Sequence, residues 1–469
     1  MPLRITIDRA GGASLTQQIH GAIRDAVHDG RLAAGARLPS WRDLAAQLGV
    51  ARGTVRAAYE RLADEQLVVG QGAAGTRVAE RVAVASPSGA AAAATPLADW
   101  FPAFAAPPLT FQMGVPAQDV FPAKLWARIM GRSARAAAVA PVGYPDPRGH
   151  PDLRREIAAY LAVARGVRCT PAQVLVTAGY AGALGLAIHA LRLEGRTAWL
   201  EDPGFPLTRL ALGHAGITVA PVPVDVDGID VAAGERQAPG AALAVVTPGQ
   251  QAPLGMPMSL PRRLALLAWA AKSGAWIVED DYLSELQLKG RAAPALASLD
   301  HDGQVLHAGS FSKTISPALR LGFLVVPPQL AGLFGDVAAG LAPAPAGATQ
   351  LAVAAFMAEG HYLRHLRRMK RLYLARREAL LARLRGMADS AVGIHATGGL
   401  AVRITLPDGA DDVAIARRAH AFGLAPSPLS PWCAAAGAPA GLLLGVANLA
   451  ERRLAADCGR LLDIVRQAG

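Results

Sequence analysis

The sequence is poor in cysteine, in aromatic residues and in long apolar runs. Its 469 residues include three cysteines, which lie far apart and without metal-ligand spacing, so we expect neither a disulfide framework nor a metal site. Arg, Gly or Pro interrupts every apolar run before the ~20 residues that a membrane-spanning helix needs. The N-terminal residues have no apolar signal core. We therefore expect a soluble, cytoplasmic protein.

Lysine is also scarce. Every basic side chain other than histidine is arginine, except at five positions: Lys124, Lys272, Lys289, Lys313 and Lys370. Lys313 lies among small and hydroxyl residues in HAGSFSKTISPALRLGF, residues 307–323. Arginine stays protonated, whereas a lysine amine can lose its proton and attack a carbonyl. Lys313 is therefore a candidate nucleophile, and chance retention in a surface loop is the alternative.

Net charge is +11 and the isoelectric point is about 10.1, which permits nucleic-acid binding without requiring it. The excess of positive charge is not concentrated at the N-terminus, where aspartates partly offset the arginines. Residues 81–99, RVAVASPSGAAAAATPLAD, are rich in Ala, Pro and Ser and carry little charge, which is typical of a linker. We predict a small domain over residues 1–80, a linker over 81–109 and a large domain over 110–469.

The small domain has the pattern of a helix-turn-helix. A first helix is indicated by apolar residues four apart, Ile19, Ile23 and Val27. Ser40 and Asp43 form a capping pair for a short second helix, and Gly49 ends it with a tight turn. The next helix would bury one face made of Val55, Tyr59 and Leu62.

Polar residues at the start of this third helix, Arg52, Thr54 and Arg56, lie off its buried face, as in a DNA-recognition helix. LVVGQGAAGTRVAE then predicts two short strands around a Gly-rich turn, which together form a wing. A generic helical subdomain with solvated arginines is the alternative on arrangement alone.

The stretch GRLAAGARLPSWRDLAAQLGVARGTVRAAYERL resembles the winged helix-turn-helix of GntR-type bacterial regulators. The resemblance implies double-stranded DNA as partner, contacted by Arg42, Arg52, Thr54 and Arg56. Two departures affect local structure. Ala51 replaces the usual serine N-cap, and the wing's usual Gly-Ser-Gly is Ala73-Ala74-Gly75, followed by Arg77 at a normally apolar position.

The large region alternates apolar strands with helical stretches, which favours an α/β domain with a mostly parallel sheet. The strand candidates are QVLVTAG, TAWLEDPG, ALAVVTPG and AWIVEDDY. HLRRMKRLYLARREALLARLRGM predicts a long basic amphipathic helix that leads to a smaller C-terminal α+β part. Functional residues are expected at the strand ends.

The strand ends carry groups that suit one cofactor. The amides of Gly179, Tyr180 and Ala181 would form a phosphate cradle at a helix N-terminus. VEDDY puts carboxylates at a strand end, one of which could hold a positive charge on a heteroaromatic nitrogen, and Tyr282 could donate to a phenolic oxygen. The lysine motif adds an amine with hydroxyl and guanidinium phosphate ligands, namely Ser310, Ser312, Lys313 and Arg320. Together they point to pyridoxal 5′-phosphate (PLP).

Residues 111–450 resemble a fold-type I aminotransferase domain, and the combination with the N-terminal module resembles the MocR subfamily of GntR regulators. The motifs are YPDPRGHPDLRREIAAYL, EDPGF, VTPGQQAPLG, EDDYLSEL and GSFSKTISPALRLGFLVVPP. By position, the resemblance implies that Lys313 forms the internal aldimine, Asp280 pairs with the ring nitrogen and Tyr282 with the ring oxygen. Ser310, Ser312, Arg320 and the amides of Gly179, Tyr180 and Ala181 would hold the phosphate.

Three further positions follow from the resemblance. Phe205 takes the place of the ring-stacking aromatic, and Gln250 lies where the subfamily usually has a cofactor-contacting histidine. Tyr144 matches the tyrosine that reaches the cofactor of a neighbouring subunit, which implies a head-to-tail homodimer and an operator with two half-sites.

The late-strand segment GLLLGVANL has no arginine, whereas aminotransferases commonly grip the substrate carboxylate from there. Arg403 is a possible substitute, although a structural role suits it better. We therefore predict a PLP-dependent transcriptional regulator that senses PLP, or an amino compound as external aldimine, with residual transaminase activity left open. The alternatives are an aminotransferase with an appended DNA-binding domain and a regulator that has lost its cofactor.

Overall fold

The computed structural model describes residues 5–9, 12–72, 75–80, 108–139, 143–288, 290, 292–387, 392–396, 399–407, 409–434 and 440–467. The chain divides into two compact units, residues 1–104 and 105–469. Most of the expected linker, and Ala73 and Ala74 of the wing, lie outside the described residues. Within the described ranges, no helix is both long and apolar enough to cross a membrane.

The N-terminal unit contains three helices and a two-stranded antiparallel sheet: α1 Leu15–His28, α2 Trp41–Leu48, α3 Arg52–Asp64, β1 Val68–Gly70 and β2 Thr76–Val78. The predicted apolar stripes form its core, and Ile19, Ile23, Leu44, Val55 and Leu62 are completely buried. Each stripe recurs at helical spacing, so burying it holds three short helices together that would be marginal alone. The predicted winged helix-turn-helix is confirmed.

The turn between α2 and α3 is set by its flanking residues. The Ser40 hydroxyl accepts a hydrogen bond from the Asp43 amide at 3.1 Å, which caps α2. Gly49 ends α2 with φ of 62°, a left-handed conformation that favours glycine. Ala51 occupies the N-cap of α3 and makes no side-chain capping bond, as its sequence implies. Because that acceptor is missing, α3 forgoes about 1 kcal/mol of capping stabilisation.

The large unit begins with two helices, α4 Ala123–Ala138 and α5 Pro151–Ala164, and continues with alternating strands and helices. These are β3 Val174–Thr177, α6 Gly179–Ala190, β4 Thr197–Asp202, α7 Pro206–His214, β5 Thr218–Asp225, β6 Gly228–Ile229, α8 Val231–Gln237, β7 Leu243–Val246, α9 Leu260–Ser273, β8 Trp276–Asp281, β9 Val305–Ser310 and β10 Gly322–Val325.

The central sheet has eight strands in the order β3-β10-β9-β8-β7-β4-β5-β6. The five central strands form one parallel block in the order β9-β8-β7-β4-β5. β10 runs antiparallel to both β3 and β9. β6 is antiparallel to β5 at the far edge. The predicted mostly parallel sheet is confirmed, and β3, β7 and β10 are apolar and buried along most of their length, as expected for strands covered on both faces.

The chain then forms α10 Ala331–Leu341, α11 Gly347–Ala358 and the long basic helix α12 His361–Met387. The C-terminal part is a four-stranded antiparallel sheet of order β11-β12-β14-β13 with two helices. Its elements are β11 Gly393–His395, β12 Ala401–Thr405, α13 Asp412–His420, β13 Ser427–Pro428, β14 Gly441–Gly445 and α14 Leu454–Arg466. The predicted small α+β part is confirmed.

Candidate functional site

The lysine motif lies where the carboxyl ends of several parallel strands meet. Gly322, the first residue of β10, pairs with Thr177 at the end of β3 on one side and with Ser310 at the end of β9 on the other. One strand further, Asp281 of β8 pairs with Gly309. This register brings the segments that follow β3, β8 and β9 to one edge of the sheet, although they are far apart in sequence.

Lys313 follows β9 in a turn and is half-buried. Its Nζ donates a hydrogen bond to the carbonyl oxygen of Gly114 at 2.9 Å. A Cβ at position 114 would lie 2.9 Å from this Nζ, and φ of +77° also favours glycine there. Withdrawal from water lowers the pKa of Lys313, Asp280 opposes this effect and Arg320 adds to it. The amine is therefore more easily deprotonated than a surface lysine.

Asp280 is the penultimate residue of β8 and is only 7% exposed. Among the residues that the structure describes, none forms a hydrogen bond or ion pair with its carboxylate. Burial raises the pKa of Asp280 to about 8, and the neighbouring Asp281 contributes to the rise while Lys313 counters it. Within the described ranges, the site thus holds a buried carboxyl group that makes no direct hydrogen bond or ion pair.

Two tyrosines flank this carboxyl group. Burial, and then the charge of Asp280, raise the pKa of both Tyr282 and Tyr180, so each phenol keeps its proton. The Tyr180 hydroxyl is hydrogen-bonded to Thr208 Oγ1 at 3.0 Å. Tyr282 is half-buried and follows Asp281 directly at the end of β8. Both phenols can therefore act as hydrogen-bond donors.

An anion-binding arrangement lies beside the lysine. Helix α6 begins at Gly179, and a Cβ on Gly322 would lie 2.9 Å from Gly179 Cα, so the two segments pass close together. Arg320 is exposed, has φ of 46° and donates from Nη2 to the Ala178 carbonyl at 3.3 Å. The Ser310 hydroxyl accepts from the Ser312 amide at 3.1 Å. Helix amides, a guanidinium and hydroxyls suit a phosphate.

The remaining predicted cofactor residues lie outside the lysine motif and the VEDDY segment. Ala181 is exposed in the first turn of α6, and Phe205 is the N-cap of α7, with its ring centroid 5.7 Å from that of Trp432. Gln250 is buried and donates from Nε2 to the Leu283 carbonyl at 2.9 Å. Tyr144 is fully exposed. These are positions within one chain, so the assigned roles stay predictions.

A buried ionic network behind Asp280 was missed by sequence reasoning. Arg165 Nε donates to Asp281 Oδ2 at 2.6 Å, and His307 Nδ1 lies 2.9 Å from Glu279 Oε2. Burial disfavours the imidazolium, but Glu279 outweighs it and raises the pKa of His307. The second aspartate of VEDDY and the histidine of VLHAGS were the available signals, since charged residues inside apolar strands are buried and paired.

In the N-terminal unit, the predicted DNA-contacting residues lie on the outer surface of α2 and α3. Arg42, Arg52 and Arg56 are exposed, and Thr54 is half-buried. The Arg42 guanidinium lies 4.9 Å from the Trp41 ring centroid, and Arg56 Nε donates to Glu60 at 2.8 Å. Arg77, in the wing, donates from Nη1 to the Gly35 carbonyl at 2.9 Å and so links the wing to the loop before α2.

Two family models match the chain. Bacterial regulatory proteins of the gntR family match residues 15–78, and class I and II aminotransferases match residues 117–415. The chain is 36% identical to the probable rhizopine catabolism regulatory protein MocR of Rhizobium meliloti, over 95% of this chain and 92% of that protein. The chain belongs to the MocR subfamily of GntR-type transcriptional regulators. The predicted family is thereby confirmed.

A second regulator and a solved aminotransferase structure also match the chain. The pyridoxine biosynthesis transcriptional regulator PdxR of Corynebacterium glutamicum is 31% identical over 99% of this chain and 98% of its own. Among solved structures, the α-aminoadipate aminotransferase LysN of Thermus thermophilus, complexed with N-(5′-phosphopyridoxyl)-L-leucine, has a TM-score of 0.69. It is 27% identical and the match covers 77% of this chain and 92% of that chain.

In this MocR-type chain, β14 is the late strand from which aminotransferases commonly supply an arginine to the substrate carboxylate. It carries leucines instead, and Leu442, Leu443 and Leu444 are completely buried. Arg403 lies on β12 opposite Leu443 and is half-buried. Its neighbours Val402 and Ile404 face the core, so Arg403 is on the other face of the small sheet. Burial lowers the pKa of Arg403.

Proposed function

We propose that this protein is a PLP-dependent transcriptional regulator whose aminotransferase-like unit binds PLP and whose winged helix-turn-helix binds double-stranded DNA. The observation that carries the proposal is that Lys313 and Asp280 lie at the same edge of the sheet, on the same chain as a GntR-type module. Each group shifts the other's pKa, which supports their belonging to one site.

The residues present suit PLP. Asp280 is buried and makes no direct hydrogen bond or ion pair with another described residue, and a protonated pyridine nitrogen would supply such a partner. Lys313 would hold the cofactor covalently. Gln250 donates a hydrogen bond to the carbonyl of Leu283, which follows Tyr282, and both Tyr282 and Gln250 would contact the ring. Its phosphate would be held by Ser310, Ser312, Arg320 and the amides at Gly179, Tyr180 and Ala181, and Phe205 would stack on its ring. When bound, PLP supplies an aldehyde that captures amines and a ring that withdraws electrons.

The residues of β14 favour sensing over turnover. Leu442, Leu443 and Leu444 occupy the late strand from which aminotransferases commonly supply an arginine to the substrate carboxylate. Arg320 is assigned to the phosphate and would not also form a bidentate clamp on a substrate carboxylate. PLP itself, or an amino compound held without such a clamp, therefore suits this site as the effector.

The DNA-binding half of the proposal rests on exposed cations at the start of the recognition helix. Arg52 and Arg56 are exposed and would reach phosphates or base edges, Arg56 by exchanging its ion pair with Glu60, and Arg42 adds a cation from α2. We further propose a cytoplasmic head-to-tail homodimer in which Tyr144 reaches the cofactor of the second copy. Two winged helices per dimer would recognise an operator with two half-sites.

Replacing Arg52 with alanine is expected to weaken binding to an operator selected from a random duplex library by about tenfold or more, because one phosphate or base contact is lost. Fluorescence anisotropy at fixed salt measures it. Arg61→Ala is the matched control, since Arg61 is an exposed arginine near the other end of α3. PLP binding, followed by absorbance, should be unchanged in both variants.

Equal losses in Arg52→Ala and Arg61→Ala would indicate a general charge effect and would refute the recognition-helix assignment. Simultaneous loss of PLP binding would show that the change disturbs the whole fold. An Arg52→Ala variant with wild-type affinity and specificity would place the DNA-contacting surface elsewhere.

A further inference from the structure

A cavity of about 350 Å³ lies on the large unit between α5, the segment after β8 and one face of α12. We name it the α12 cavity. Its lining includes Tyr160, Arg165, Glu285, Leu366, Arg367 and Lys370. None of these residues is assigned to the PLP site or to DNA. Cavities of this size accommodate small ligands.

Two buried polar atoms from this lining have no hydrogen-bond partner among the described residues: Nη2 of Arg165 and Oε2 of Glu285. The Arg165 side chain is 1% exposed, its Nε binds Asp281, and its Nη1 donates to the Ala293 carbonyl. Its third nitrogen is thus left as an unused donor. A buried, unsatisfied donor or acceptor costs about 1–3 kcal/mol, so both atoms favour an occupant that pairs with them.

The charges of the lining define the kind of occupant. Arg165, Arg367 and Lys370 are cations, and Glu285 is the acidic residue that faces them. Burial, and then the charge of Asp281, raise the pKa of Glu285 to about 7. An anion would satisfy the unused Arg165 donor, and a donor on the same molecule would satisfy the Glu285 acceptor. Tyr160 adds a phenol that stays protonated, because burial raises its pKa.

The cavity is connected to the PLP site through one ion pair and two adjacent residues of β8. Arg165 binds Asp281, which adjoins Asp280 in the chain, and the charge of Asp281 contributes to raising the pKa of Asp280. An anion on Arg165 would weaken the hold of Arg165 on Asp281 and so change the field at Asp280. We propose that the α12 cavity binds a small carboxylate that carries a hydrogen-bond donor, and that this binding changes the electrostatic field at the Asp280 carboxyl group.

L-lactate is a suitable probe, because it has a carboxylate and a hydroxyl but no amine that could react with PLP. Propionate is the matched control without the hydroxyl. Binding to the cavity does not depend on the proposed function and is measured by calorimetry, with or without PLP. The second readout is a change in the absorption of bound PLP, and only this readout rests on the proposed function. The proposal predicts saturable lactate binding, tighter than that of propionate.

Lys370→Met removes a half-buried cation from the lining and should weaken lactate binding about tenfold, as expected for a charge-assisted hydrogen bond. Arg368→Met is the control, because Arg368 is an exposed cation of α12 outside the lining. Glu285→Met should abolish the preference for lactate over propionate. Neither substitution touches the Arg165–Asp281 ion pair, so the fold is expected to persist.

The absence of saturable heat with lactate would overturn the proposal and leave water as the occupant of the α12 cavity. Binding that Lys370→Met and Glu285→Met leave unchanged would also overturn it, because the ligand would then lie elsewhere. Calorimetric binding without any change in the absorption of bound PLP would refute the coupling to Asp280. Failure of the protein to bind PLP at all would instead contradict the proposed function and leave the calorimetric result intact.

Discussion

Lys313→Ala is expected to abolish the visible absorption that PLP acquires when it becomes covalently attached to the wild-type protein. Lys313 is the amine at the meeting point of β3, β8 and β9, and withdrawal from water lowers its pKa, so at neutral pH it is a better nucleophile than a surface lysine. Alanine has no amine, and the loss should therefore be complete. Titration of the purified protein with PLP, followed by absorbance, measures it.

Lys272→Ala is the control for this experiment, because Lys272 is an exposed lysine in the last turn of α9. It should retain the full absorption change. If Lys313→Ala kept the band, another amine would be the attachment point and the assignment of the site would be wrong. A band missing from both variants and from the wild-type protein would show that the chain does not use PLP covalently.

Asp280→Asn is expected to lower the affinity for PLP by roughly 10- to 100-fold, since it removes the charge that would pair with the ring nitrogen, a contact worth about 1.5–3 kcal/mol. The size of the amide matches the carboxylate, so packing should be preserved. Equilibrium titration with PLP gives the affinity. Asp227→Asn, at an exposed loop aspartate, should bind PLP like the wild-type protein. An unchanged affinity in Asp280→Asn would exclude a charge pair at this position.

The same substitution should stabilise the cofactor-free protein. Burial raises the pKa of Asp280 from 3.8 to about 8, so the folded protein keeps a proton that the unfolded chain has released. The free energy of unfolding therefore falls as the pH rises from about 4 to about 8. Asparagine removes this dependence, and its thermal midpoint without PLP should exceed that of the wild-type protein at pH 8. The stabilisation that added PLP provides should be smaller in the variant.

Local patterns predicted much of the fold because the elements that they describe are local. The stripe of Ile19, Ile23 and Val27 became the buried face of α1, and the segments QVLVTAG and AWIVEDDY became β3 and β8. Ser40 and Gly49 fixed the ends of α2 by capping and by a left-handed turn, which depend on single residues. The candidate site followed from the rule that functional groups gather at strand ends.

The pairing of strands and of charged side chains far apart in the chain could not be predicted from the sequence. β10 inserts antiparallel between β3 and β9, and this register places Gly322 between Thr177 and Ser310. Arg165 and Asp281 form a buried ion pair across 116 residues of sequence. Neither the strand order nor that partner is encoded by local periodicity, since both depend on which surfaces the whole chain buries together. The α12 cavity escaped sequence reasoning for the same reason.

The most direct test of the account is the effect of PLP on operator binding. Anisotropy with a selected operator should show that PLP changes the affinity of the wild-type protein by about 5- to 150-fold, the usual range of coupling between two sites. Lys313→Ala should bind the operator with an affinity that PLP does not alter. If PLP leaves the wild-type affinity unchanged, with and without amino compounds, or alters that of Lys313→Ala equally, the aminotransferase-like unit does not regulate DNA binding through Lys313.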